Sequence, residues 1–429
     1  MKTTNYVTSI PSAVPNTVVV GQMYVSFTIP SKYDAYPVIM ISGGGHTGAA
    51  LESTPDGREG WGPYALRHGI PTFIVDQAGR GRSGFDATAI HEGKARLMAG
   101  DLSGANLIPD MLAFGPNRAW TAWFGHLVQP GTAIETTNIL TGELVPHGWR
   151  PDDPSPPTVH DAGVKTQFPI HASTPYLVPD NLILPGTWGP APFGPAEFYE
   201  LDYYRQIVPN SEQTLPTSTC DTCTPQLLQP AGFNASQTWT SLDMAELVEQ
   251  LGKNYGGAVV ATHSQSGPIG HHMVRLLRQR GALQYLKGLV TVEGTSCSMP
   301  AAGITAQDFD NVPYMVLKGD FSGTNASCTE TVNAIIARRQ AGQGKAAVEY
   351  IKLDEQPNPA NAWPAPLARP VMPGVTHMMM LGSDEGGGYD SSDVMDVILK
   401  WSNQHIAKLP KKISCPGPNG PPPGKGPNN

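Results

Sequence analysis

The chain has 429 residues, a length that allows one large decorated domain or two smaller ones. Charged residues make up only 15% of it, while it holds 47 Gly and 42 Pro, the composition of a loop-rich globular protein. A formal net charge of -8 without a basic cluster disfavours nucleic acid as a partner, and no apolar run approaches the length of a bilayer crossing.

Residues 17–30 alternate enough to predict one or two antiparallel strands, at Val18–Val20 and Met23–Ile29. Tyr36–Ile41 reads as a buried strand running into Ser42-Gly43-Gly44-Gly45-His46. A helix is expected over Trp61–His68 and a buried strand over Thr72–Val75, followed by the polar, glycine-rich Asp76–Ser83. Residues 86–237 break this rhythm with many prolines and aromatics and few clear strands. A structureless loop of that size is improbable in a compact domain, so the segment is expected to be an inserted cap or lid, with helices near Ala89–Leu102 and Phe198–Ile207. Regular alternation then resumes. Helices are predicted over Thr240–Leu251, Ile269–Arg280, Glu330–Ala341 and Ser391–His405. Strands are predicted over Gly257–His263, Leu286–Glu293, Pro313–Lys318 and Val348–Leu353. Strands alternating with helices imply an α/β fold, a mostly parallel central sheet flanked by helices. Residues 1–85 and 238–408 would form that catalytic domain, and 409–429 a flexible Pro/Gly-rich tail.

The chemistry centres on Val259–Gly267, where an apolar, β-prone run ends at His263-Ser264-Gln265-Ser266-Gly267 and a helical pattern follows. A serine at a sharp strand-to-helix turn has the geometry of a nucleophile elbow, with the first helix amides ready for an oxyanion. The usual flanking glycines are replaced by Thr262 and Ser266, and the bulk of Thr262 would open the elbow slightly. A serine hydroxyl needs a base, and His377, in a loop between the last strand and the last helix, is placed to act as one. His405 reads as structural, and His263 as a packing or orienting residue. Two carboxylates qualify as the third member, Glu293 and Asp320, each at the C-terminal end of a strand, and local spacing does not choose between them. The oxyanion would be bound by the amide of Gln265 and that of Gly44 or Gly45. This chemistry calls for no metal and no organic cofactor.

Cys220 and Cys223 read as a short-loop disulfide in a Thr/Pro-rich stretch, Cys297 and Cys328 could meet above the sheet, and Cys415 is left over. Two sequons, at Asn234 and Asn325, together with the cysteines and low Lys content, lean towards a secreted glycoprotein, with a cytoplasmic protein as the alternative. The N-terminus lacks an apolar signal region, so a signal is expected to have been removed.

The order of these pieces suits the α/β-hydrolase architecture, and several motifs are more specific. Ile41–Gly45, Thr54–Arg58, Val75–Ser83, Gln167–Pro169, His263–Gly267, Val292–Gly294 and Thr376–Met380 together resemble the esterase 713-like branch of the α/β-hydrolases, in that family's order. One departure is Gly48-Ala49-Ala50, where a member of the family carries adjacent cysteines. The resemblance implies carboxylic-ester hydrolysis with Ser264 as nucleophile, His377 as base and a glutamate acid, which favours Glu293 over Asp320. Aromatic residues of the lid (Trp120, Trp123, Phe124, Phe168 and Tyr176) point to a bulky apolar or aromatic ester. A lactonase using the same residues and a non-catalytic binding protein of the same fold are the alternatives. A homodimer is compatible with the sequence.

Overall fold

Short runs of apolar and β-branched residues build the centre of the molecule. The computed structural model describes residues 2–6, 16–54, 57–84, 88–108, 135–137, 144–146, 239–319, 325–372, 375–382, 389–409 and 413–414. Asp320, Cys220, Cys223, Cys415, Asn234, the helix expected at 198–207, the lid aromatics and the tail beyond 414 lie outside the described residues.

Eight strands form one sheet: β1 (Tyr24–Thr28), β2 (Val38–Ile41), β3 (Thr72–Asp76), β4 (Ala258–His263), β5 (Leu286–Val292), β6 (Tyr314–Lys318), β7 (Val348–Lys352) and β8 (Ala362–Trp363). Their spatial order is β8-β7-β6-β5-β4-β2-β3-β1. The inner pairs are parallel, and the two edge strands, β1 against β3 and β8 against β7, are antiparallel. Strands β2, β3, β4 and β6 are buried at every position, the mark of strands covered on both faces.

Alternate side chains feed two cores. Val38, Met40, Val259, Ala261, Val290 and Val292 face the helices α1 (Trp61–Arg67) and α6 (Ser391–His405), where Trp61, Ala65, Val394, Ile398 and Trp401 close the layer. Ile39, Ile41, Val260 and Leu289 face the other side, covered by Met244, Ile269, Met273 and Ile335 from α3 (Trp239–Tyr255), α4 (Ser266–Gln279) and α5 (Ala326–Gln340). The remaining long helix, α2 (Thr88–Met98), follows the loop after β3. No helix among the described residues is long and apolar enough to cross a membrane.

The chain runs outward from β2 to β3 and then returns to place β4 on the other side of β2. In open α/β sheets the crevice beyond the strand ends at such a reversal is where ligands bind. Here the loops after β2 and β4 meet at it. The predicted strands and the helices over α1, α3 and α6 fall where the patterning puts them, within a few residues. Two helices start early. Helix α4 begins at Ser266 rather than Ile269, because the turn at Ser264 leads straight into it. Helix α5 begins at Ala326 rather than Glu330, because Asn325 accepts from the amides of Ser327 and Cys328 and caps the end.

The bulk of Thr262 is met from the helix side. A Cβ on Gly270 of α4 would lie 2.8 Å from Thr262 Cγ2 and 3.3 Å from Leu289 Cδ1, so the helix leaves a notch for the threonine methyl. Gly270→Val should therefore cost about 1–3 kcal/mol of stability through overpacking. Adding Thr262→Ser, which deletes that methyl and keeps the hydroxyl, should recover part of the loss. Urea unfolding of both single variants and the double variant measures the coupling, and strict additivity would contradict this packing account.

Candidate active site

The turn between β4 and α4 is held by backbone bonds from its neighbours. Ser264 has φ 55°, in the left-handed region that a non-glycine residue adopts only when the surroundings impose it. Its N–H donates to Val292 O at 2.9 Å, and its carbonyl accepts from Gly267 N at 2.9 Å and Thr295 N at 3.1 Å. The buried hydroxyl of Ser266 accepts from His263 N at 2.7 Å and lies 3.0 Å from Ile41 O and 2.8 Å from His263 O. This serine is thus more than a small residue: its hydroxyl pins the turn to the end of β2. Gly43 passes so close that a Cβ there would sit 2.6 Å from Ser264 Cβ. Gln265, at the N-cap position of helix α4, makes no side-chain capping bond, and the first turn of the helix holds no acidic residue. Its amide dipoles therefore favour a negative charge at that end.

Glu293, the residue after β5, repeats the device with φ 50°, and its N–H donates to Leu317 O at 2.8 Å. The carboxylate is fully buried. Oε1 accepts from Gly319 N, and Oε2 accepts from Lys318 Nζ at 3.0 Å and lies 3.1 Å from His377 Nδ1. Across the same ring, His377 Nε2 lies 2.8 Å from Ser264 Oγ. Exposure falls from 9% at His377 and 7% at Ser264 to 1% at Glu293, so the hydroxyl end of the chain of bonds faces the rim while the carboxylate end is shielded from water.

The loop carrying His377 is fixed from several sides. Thr376 N donates to Tyr389 Oη at 3.0 Å. Gly319 lets the loop cross it, because a Cβ there would be 2.2 Å from Val375 O. Met378, Met379 and Met380 sink into the core. His263 Nε2 donates to His377 O at 2.8 Å, with the two rings 4.9 Å apart. Arg58 donates to Leu381 O at 3.2 Å and Gly382 O at 2.6 Å, and pairs with Asp390, which caps α6.

The loop after β2 lies over the elbow. A Cβ on Gly44 would be 3.2 Å from Gln265 Oε1, and Gly45 has φ 72°. Arg80 Nη1 donates to Gly43 O and to His46 O, and its Nη2 donates to Gln265 Oε1 at 3.0 Å. The sequence motif that contains Arg80 therefore splits in two. Arg80 turns inward, whereas Arg82 turns back on Asp76, which also accepts from Gly48 N at 2.7 Å.

Cys297 and Cys328 form a disulfide that joins the segment after Glu293 to α5. Asn325 Nδ2 donates to Gly294 O at 3.0 Å and Thr295 O at 3.1 Å, so a glycan on that nitrogen would displace at least one of these bonds. Sequence reasoning gave no role to Lys318, Tyr389, Arg80 or the Ser266 hydroxyl. A lysine ending an otherwise apolar strand was the one available signal, since a buried ammonium demands a partner.

No family model matches the chain. A probable secreted lipase, phiG, of Fungal sp. (strain ATCC 74256) is 33% identical over 120 residues, a stretch covering 26% of this chain and 31% of that protein. The match thus spans less than a third of the relative's length. Among solved structures, a bacterial esterase determined at atomic resolution aligns over 95% of this chain and 94% of its own, with a TM-score of 0.57 and 24% identity. This likeness, with the sheet order and the strand–turn–helix at Ser264, shows the α/β-hydrolase fold.

Burial leaves the histidines around the site uncharged. It lowers His46 to about 3, with nearby Arg80 and His377 acting the same way, and it lowers His263 well below the ordinary value. Within α4, burial brings His271 to about 4 and His272 to about 3. In the unfolded chain each ring titrates near 6.5, so below that pH the unfolded state binds more protons and folding weakens. Each ring contributes at most about 1.4 kcal/mol per pH unit. The urea midpoint should hold steady above pH ~6.5 and fall steeply between ~6.5 and ~4.5. A flat midpoint over that range would show that these rings titrate normally in the fold.

Proposed function

We propose that this chain, an α/β-hydrolase by fold, is a serine carboxylesterase that works through an acyl-enzyme on Ser264. The observation that carries the reading is the 2.8 Å approach of His377 Nε2 to Ser264 Oγ at an elbow of positive φ. His377 takes the hydroxyl proton as Oγ attacks the ester carbonyl, and Glu293, at 3.1 Å from Nδ1, orients the ring and stabilises the imidazolium. Lys318 and the Gly319 amide hold the carboxylate so that Oε2 faces the ring.

The tetrahedral oxyanion is received by the amide of Gln265, at the uncapped start of α4, and by that of Gly44 or Gly45. His377 then returns the proton to the departing alcohol. Water, activated by the same ring, releases the acid and restores Ser264.

Residues 86–237, inserted between the two halves of the sheet, are assigned to the substrate pocket, and a bulky apolar or aromatic ester suits their aromatic content. The Cys297–Cys328 disulfide supports a secreted protein, and so does the description of the fungal relative as secreted.

Ser264→Ala should lower kcat on p-nitrophenyl esters by at least about 10³-fold with the thermal midpoint unchanged. Glu293→Gln should cost about 10²–10⁴-fold. A fluorophosphonate should add its mass to the peptide containing Ser264. Near-normal turnover by Ser264→Ala, or labelling elsewhere, would end the assignment.

A further inference from the structure

Four carbonyls of the loop after β2 are tied down. Ser42 O accepts from Gln77 Nε2 at 2.8 Å, Gly43 O from Arg80 Nη1, and Gly44 O from His46 Nδ1 at 2.8 Å. His46 O accepts from Arg80 Nη1 and from Ser42 Oγ, both at 3.0 Å. The only cis peptide among the described residues is Trp363-Pro364, so the peptides of this loop are trans. In a trans peptide the C=O and the following N–H point in opposite directions. Fixing Gly43 O and Gly44 O therefore also fixes the directions in which the amides of Gly44 and Gly45 point.

Arg80 does more than hold one carbonyl. It is among the largest fully buried side chains of the protein, with an exposure of 1%. One guanidinium nitrogen grips the loop at Gly43 and His46, and another grips Gln265 Oε1 at 3.0 Å. A single rigid, planar cation thus spans the two segments whose amides the esterase reading uses, the β2 loop and the residue after Ser264. Lysine, a point donor on a flexible stem, cannot make this two-sided fork. The bond to Gly43 O also polarises that peptide and strengthens the Gly44 N–H as a donor.

We propose that Arg80 is the positioning residue of the oxyanion hole: it sets the spacing between the Gly44–Gly45 amides and the Gln265 amide, and it polarises the Gly44 N–H. The proposal rests on the esterase reading above. Oxyanion donors act mainly on the transition state, so losing their alignment should lower kcat and leave KM nearly untouched.

The test compares wild type with Arg80→Met, Arg80→Lys and Gln265→Leu on a p-nitrophenyl ester, with thermal midpoints alongside. Arg80→Met should lose roughly 30–300-fold in kcat with KM within about threefold. Arg80→Lys should recover only a small part of this, because the fork and not the charge alone is needed. The rate of inactivation by a fluorophosphonate should fall in parallel with kcat. If both Arg80 variants fail to fold, Gln265→Leu keeps the main-chain amide and cuts only the side-chain leg, and it should lose roughly 5–30-fold in kcat at unchanged KM. A folded Arg80→Met, or failing that a folded Gln265→Leu, with kcat within threefold of wild type overturns the proposal, as does a change confined to KM. Ser264 labelling in wild type beside an unaffected Arg80→Met overturns the bracing role alone. A fully active Ser264→Ala overturns the esterase reading and this proposal together.

Discussion

Two hydrogen bonds across the carboxyl edge of the sheet, Ser264 N to Val292 O and Glu293 N to Leu317 O, hold the strained turns on which the site is built. Each joins the residue just past one strand to the last residues of the next. Each lets the chain leave its strand through a left-handed residue that is not glycine. Such conformations cost of order 1–3 kcal/mol apiece and persist where neighbouring structure over-determines them. The neighbours here are parallel strands buried on both faces, whose register aligns Val292 with His263 and Leu317 with Val292. The turns repeat from strand to strand because the register does, and the side chains of Ser264 and Glu293 project towards one imidazole for the same reason.

Burial adds a second constraint. Glu293 is shut away from water, and an isolated carboxylate there would be costly. Lys318, one strand over, supplies the countercharge, and the Gly319 amide supplies a further donor. The carboxylate is thereby shared between an ammonium and an imidazole, both at Oε2. On the opposite side of the elbow lies another buried cation, Arg80, bound to backbone and amide oxygens of the β2 loop and Gln265. Burial holds the rings of His46 and His263 neutral, so neither adds a further positive charge beside these groups.

Much of this arrangement is legible from residue order, and the limits have physical causes. Strands such as Val38–Ile41 and Ala258–His263 are plain from apolar runs that end in glycine or polar residues. The placing of Ser264 and His377 follows from what precedes and follows them in the alternation of strand and helix. The choice of Glu293 over Asp320 does not follow, since both end strands and spacing along one strand says nothing about its neighbour's register. The resemblance supplies that preference; Glu293 Oε2 lies 3.1 Å from His377 Nδ1, while Asp320 lies outside the described residues. Thr262 looks like an obstacle in one dimension because the notch that receives it, Gly270, lies about one turn into the helix that follows. Lys318 and Arg80 draw their roles from partners 25 and 185 residues away. No local pattern encodes such pairs.

The three methionines that follow His377 bear on how the site tolerates change. They anchor the loop in the core through unbranched, polarisable side chains that adapt to irregular spaces. The imidazole is aimed instead by directional contacts: Glu293 on the ring, His263 on the main-chain carbonyl of His377, and Tyr389 on the preceding amide. Anchorage and aim are therefore carried by separate sets of atoms. Volume changes in the layer beneath, around Val394 or Ile398, can be taken up by methionine torsions before they reach the ring, which leaves that layer open to drift while the imidazole stays put.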